Sequence, residues 1–137
     1  MFDGFAFQAG ATAFVAAFVV AILFFSAFKF IYQLITPYHE RELIRRGNTA
    51  AAVALGGALI GYVLPLASAL SHTVGLLEFA AWALLAGVIQ IVAFIIVSRV
   101  LYRALADRIQ TGDLAAGVYL ASISIGVGLL NAACMTT

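Results

Sequence analysis

The sequence predicts an all-α membrane protein. Four transmembrane helices are expected as two tandem helical-hairpin repeats in parallel orientation, with both chain ends outside. Three observations carry this prediction. Apolar residues make up 65% of the 137 and charged ones 9%, far below the roughly 25% that a soluble domain uses to cover its surface. The apolar residues fall into four runs of membrane-spanning length. A stretch of the first half is then repeated in the second half without gaps.

The first run covers 7–35 and is interrupted by Lys29 and Gln33. Its start, "MFDGFAFQAGATAFVAAFVV", has no Lys or Arg before the apolar stretch. A signal peptide has a basic start and a shorter apolar core, so the segment reads as a retained span. The second run covers 50–70, the third 79–100 and the fourth 114–135. Each suffices to cross a hydrocarbon core of roughly 30 Å as a helix. Helix is expected because lipid cannot satisfy open backbone groups.

The connectors on one side carry the charge. In "TPYHERELIRRGN", Thr36 suits an N-cap and Pro37 the first helical position. Glu42 and Arg46 stand four apart in the favourable order. Gly47 suits a left-handed helix stop, and Asn48 can cap the next helix. The second connector, "SRVLYRALADRIQTGD", repeats this logic with Gly112 as the stop and Asp113 as the cap. All seven basic residues (Lys29, Arg41, Arg45, Arg46, Arg99, Arg103 and Arg108) lie at or between the ends of spans one and two, or of three and four. Basic loops mark the cytoplasmic side, so both termini are expected outside.

Aligning residue n with n+65 matches 47–67 to 112–132 with nine identities in 21 positions: Gly47, Ala50, Ala51, Val53, Leu55, Ile60, Gly61, Leu64 and Ala67. The repeated unit is a two-helix hairpin, the first over 7–70 and the second over 79–135. An even number of spans returns the chain to its starting side, so a pseudo-twofold axis along the membrane normal is expected. Gly57 and Gly61 on span two correspond to Ser122 and Gly126 on span four. Small residues four apart let helices approach closely in lipid, so these four are expected to form a packing seam.

The stretch "LITPYHERELIRRGNTAAAVALGGALIGYVLPLASAL", with the second copy ending "IGVGLLNAACM", resembles the DUF350 (UPF0719) family of small bacterial inner-membrane proteins. The motifs are the "TPYHE" entry, the "GN" turn and the glycine-rich fourth span ending "GLLNAA". Asp113 stands where the second turn of the family commonly has Asn. The resemblance implies four spans in two copies of a two-helix domain in the bacterial inner membrane. It implies no established activity. It associates such proteins with membrane-stress proteins of the phage-shock type and with ATP-grasp or polyamine enzymes.

The polar residues inside the spans are the candidates for function. Gln90 lies near the middle of span three, where a primary amide needs a partner. Ser122 and Ser124 return at similar depth, so a bond within the second hairpin is expected. Ser26, Lys29 and Gln33 share one helix face, which could snorkel to the interface or meet a partner or lipid phosphate. Asn131 and Cys134 lie near the outer exit of span four. Tyr62 and Trp82 suit the outer aromatic belt. His39 and Glu42 lack the partner set of a metal site.

No catalytic constellation, phosphate loop or cysteine cluster is present in the sequence. The expectation is a protein that is not an enzyme, needs no metal or other cofactor, and with a net charge of +1 binds no nucleic acid. Expected partners are membrane lipids, further copies of the chain in a homo-oligomer, and another membrane protein. The two functions that fit are an accessory or structural membrane subunit, and a small oligomeric channel or transporter-like protein. Convergence of Lys29, Gln33, Gln90 and Asn131 on one cavity favours transport. Their dispersal into interhelical bonds favours the subunit.

Overall fold

The computed structural model describes residues 2–136. Its long helices are α1 (Gly4–Ile35), α3 (Thr49–His72), α4 (Leu76–Ile96) and α6 (Leu114–Cys134). Two short helices lie in the basic connectors, α2 (Glu40–Arg45) and α5 (Leu105–Gln110). A π-helical turn, Val97–Leu101, continues α4. All four long helices are long and apolar enough to cross a membrane. At about 1.5 Å per residue the 32 residues of α1 reach about 48 Å, so α1 must tilt or project beyond the hydrocarbon.

The boundaries of α1 have chemical causes. Asp3 starts α1 by accepting from the Phe5 and Ala6 amides at 3.0 and 3.4 Å. Pro37 lacks an N–H, so the chain leaves the helix before it. Thr36 therefore does not open the next helix. It closes α1, its amide donating to Tyr32 O and its hydroxyl to Gln33 O and Tyr38 O at 3.0 and 3.4 Å. Pro37 stands in the bend, and α2 begins only at Glu40. This corrects the assignment of Thr36 as an N-cap and of Pro37 as a first helical residue, while Gly47 and Asn48 stand.

The two later turns share one form. Gly47 and Gly112 both sit at φ +87°, where a Cβ would strain the backbone. Asn48 then caps α3 by accepting from Ala51 N at 3.0 Å, and Asp113 caps α6 by accepting from Ala115 N at 3.1 Å.

The bundle is joined in two ways. α3 and α6 run side by side with almost no side chain between them. A Cβ on Gly128 would stand 2.0 Å from Gly61 O, and one on Gly117 would stand 2.4 Å from Ala50 O. Aromatic rings hold α1 instead. Phe28 stacks on Tyr62 of α3 at 4.4 Å, Tyr32 packs on Phe94 of α4 at 4.6 Å, and Phe24 meets Phe79 edge-on at 6.0 Å. Only Phe28 and Tyr32 of α1 are buried, and its N-terminal half faces outward. Tyr62 is thus not an interfacial residue. It is buried, and its hydroxyl donates to Ala83 O at 2.9 Å.

Candidate functional site

The seam differs from the one that the n+65 correspondence suggests. Gly57 and Gly61 lie in it, but Ser122 and Gly126 do not. Gly57 faces Ala121, and Gly61 faces Ser124 and Gly128. Ser122 is exposed and its hydroxyl turns back to Val118 O at 2.8 Å, while a Cβ on Gly126 would meet open space. The reason is rotation. α6 buries Ala116, Gly117, Leu120, Ala121, Ser124, Gly128 and Asn131. A face with this spacing excludes 122 and 126, each a quarter turn or more away.

At mid-depth the polar residues are engaged between helices. Gln90 is 4% exposed, and its Nε2 donates to the backbone oxygen of Ser124 at 3.2 Å. Asn131 is buried as well, its Nδ2 donating to Ala86 O at 3.2 Å and to Gln90 Oε1 at 3.4 Å. The expected partner of Gln90 is thus found at residue 124, but through its carbonyl and not its hydroxyl. Asn131 reaches inward to α4, which its place near the end of span four did not suggest.

Lys29 and Gln33 stand apart from this network. Both are half-buried near the basic end of α1, and Ser26 on the same face is exposed. Below them lies a group that sequence reasoning passed over. Glu40 is 3% exposed, and neither carboxylate oxygen has a hydrogen-bond partner. The Thr36 hydroxyl is close but turns its hydrogen to the backbone oxygens of Gln33 and Tyr38. The buried hydroxyl of Tyr32 has no partner either. Burial pushes the Glu40 carboxyl up to about 7, against the opposing pull of the Lys29 charge. Burial and the Glu40 charge together raise Tyr38. Glu40 adjoins a cavity of about 230 Å³ that Gln33, Tyr38, His39 and Arg41 also line. The signal in the sequence was a carboxylate three residues after a proline that ends a span, which pulls it under the helix.

The two connectors meet at this end. Asn48 Nδ2 donates to Ile109 O at 2.9 Å and Gln110 O at 3.2 Å, so one side chain caps α3 and ties it to the end of α5. The Asp113 side chain, a carboxylate with no N–H, cannot return the contact. It accepts instead from Arg108 Nε at 2.6 Å, which holds its carboxyl below the usual range. Arg108 also reaches the Tyr102 hydroxyl. Glu42 pairs with Arg46 at 3.0 Å and Arg45 at 3.8 Å on an exposed surface. Among the described residues no group of three or more His, Cys, Asp or Glu is placed to hold a metal ion.

The fold and these contacts define a small polytopic membrane protein with a closed, backbone-packed seam and a charged end. Residues 6–135 match the family described as Domain of Unknown Function (DUF350), and the chain belongs to it. It is 41% identical over 124 residues to the UPF0719 inner membrane protein YjfL of Escherichia coli (strain K12), covering 90% of this chain and 93% of that one. It is 29% identical over 119 residues to the UPF0719 transmembrane protein YshE of Bacillus subtilis (strain 168), covering 86% and 89%. No solved structure matches. The protein is a multi-pass protein of the bacterial inner membrane.

Proposed function

We propose that this protein is an accessory, structural subunit of the inner membrane that acts as a homo-oligomer and binds a membrane partner. One observation carries the reading: the mid-depth amides of Gln90 and Asn131 are bonded to each other and to backbone oxygens across helices. Side chains engaged in this way do not line a path for an ion. The close approach of α3 to α6 adds to this, because it leaves no space for a path between these two helices. The face of α1 that carries Ser26, Lys29 and Gln33 supports assembly, since a cation at that depth favours protein, water or phosphate over lipid tails. The exposed aromatic half of α1 supplies area for the contact.

The test is mass measurement of the protein in native-like nanodiscs, with ion and solute flux in proteoliposomes as the second arm. A mass at a multiple of 14.4 kDa with no flux is expected. A monodisperse monomer overturns the oligomer. Selective flux above the rate of empty liposomes overturns the structural role in favour of a channel.

A further inference from the structure

We propose that the cleft between α1 and α4 binds one anionic glycerophospholipid from the leaflet on the basic side, its acyl chain in an apolar groove and its phosphodiester at Arg99 and Arg103. This stands apart from the oligomeric reading, because the cleft lies within a single chain. Two cavities lie one above the other along it. The upper one, about 280 Å³, is lined by apolar residues such as Phe24, Ala27 and Ile31 of α1 and Val88 and Val92 of α4. The lower one, about 330 Å³, is lined by Ile35 at the end of α1 and by Phe94, Ser98, Arg99 and Arg103. Ile31 of the upper lining and Ile35 of the lower are one helical turn apart, and Ile91 and Phe94 are likewise three residues apart, so the groove leads into the charged pocket.

The charges suit a phosphodiester. Arg99 and Arg103 face Asp107 in the lower cavity, which leaves a single formal positive charge. Neither arginine belongs to an ion pair among the described residues, whereas Arg45, Arg46 and Arg108 do. Arg99 Nη2 donates to Ile35 O at 3.3 Å. That bond aims the guanidinium across the cleft and uses only one of its several N–H donors. Arg99 lies within the π-helical turn Val97–Leu101. Such turns recur where a helix serves a binding site. A basic pocket between helices beside an apolar groove matches both parts of a lipid in its natural orientation.

The experiment is native mass spectrometry of the full chain, titrated with phosphatidylglycerol and with phosphatidylcholine of the same acyl chains. One phosphatidylglycerol should bind in preference to phosphatidylcholine. Arg99→Gln and Arg103→Gln should each lower its affinity about fivefold, as expected for a basic residue at the membrane surface. Ala27→Trp, which fills the groove from an exposed position, should weaken both lipids. Arg45→Gln with Arg46→Gln removes charge from the other connector and should leave binding unchanged. Because Arg99 also contacts Ile35, Arg103→Gln decides the matter if Arg99→Gln unfolds. Equal binding of the two lipids, an unchanged affinity in Arg103→Gln or Ala27→Trp, or an equal loss in the Arg45 and Arg46 variant would each overturn the site.

Discussion

Gly61 and Gly128 lie backbone to backbone: a Cβ built on Gly128 would stand 2.0 Å from the carbonyl oxygen of Gly61. No side chain can be accommodated there unless the helices part, because the obstacle is main chain. In lipid, helix association rests on such packing and not on a difference in hydrophobicity. Gly128→Ala should therefore destabilise the bundle by about 1–3 kcal/mol through overpacking. Gly126→Ala, whose Cβ meets open space, should leave thermal stability in the same detergent unchanged or slightly raised. Equal melting of the two variants would remove the seam from the account.

A second prediction concerns the amide pair. Gln90→Leu removes the donor to Ser124 O and the acceptor for Asn131, and Asn131→Leu removes the donor to Ala86 O. Interhelical bonds of this kind average about 0.6 kcal/mol and reach about 1.7 in membranes. Each single variant should lose an amount in that range. The double variant should lose less than the sum, because neither amide is then left facing a lost partner. Additive losses in a double-mutant cycle would show that the two side chains act independently.

Much of this architecture was legible in the sequence. The spans were fixed by run length, and the two turns by Gly47 and Gly112, because hydropathy and left-handed glycine are local properties. Facing was not legible. An offset of 65 residues states which positions correspond, but contact between α3 and α6 depends on how far each helix is turned about its axis. Ser122 and Gly126 were misplaced for that reason, and Tyr62 was put at an interface because its depth was read without its direction. Glu40 was missed for a related cause. Its burial comes from the bend after Thr36, which the sequence allowed to be a helix start.

Glu40 makes the protein pH-dependent. Its carboxyl is raised from 4.5 to about 7 in the folded state, chiefly by burial. The folded state then binds more protons than the unfolded state between those values, so stability falls as pH rises through that window. The stabilisation from the neutral acid is complete below the unfolded value and lost above about 7. The Lys29 charge on α1 opposes the burial, and Gln33, Tyr38, His39 and Arg41 share the cavity beside the carboxyl. Glu40→Gln keeps the shape and removes the charge. Its melting temperature should be nearly flat from pH 5 to 8 in this respect and above wild type at pH 8. Parallel pH profiles for the two proteins would show that Glu40 does not titrate in this window.

The last prediction is the direction of insertion. Arg41, Arg45, Arg46, Arg99, Arg103 and Arg108 gather at one end of the bundle, where Asn48 ties the connectors together. The other end holds the 73–75 turn and the end of α6. There Ser68 donates to Ala132 O at 3.1 Å, and His72, Glu78 and Cys134 line a common cavity. Lys and Arg are retained on the cytoplasmic side during insertion. The basic end should therefore face the cytoplasm, with the C-terminus outside. In a Cys134→Ala background, Thr136→Cys should react with a membrane-impermeant thiol reagent in spheroplasts, and Arg46→Cys only after lysis. The reverse pattern would invert the topology and move the proposed lipid from the inner leaflet to the outer one.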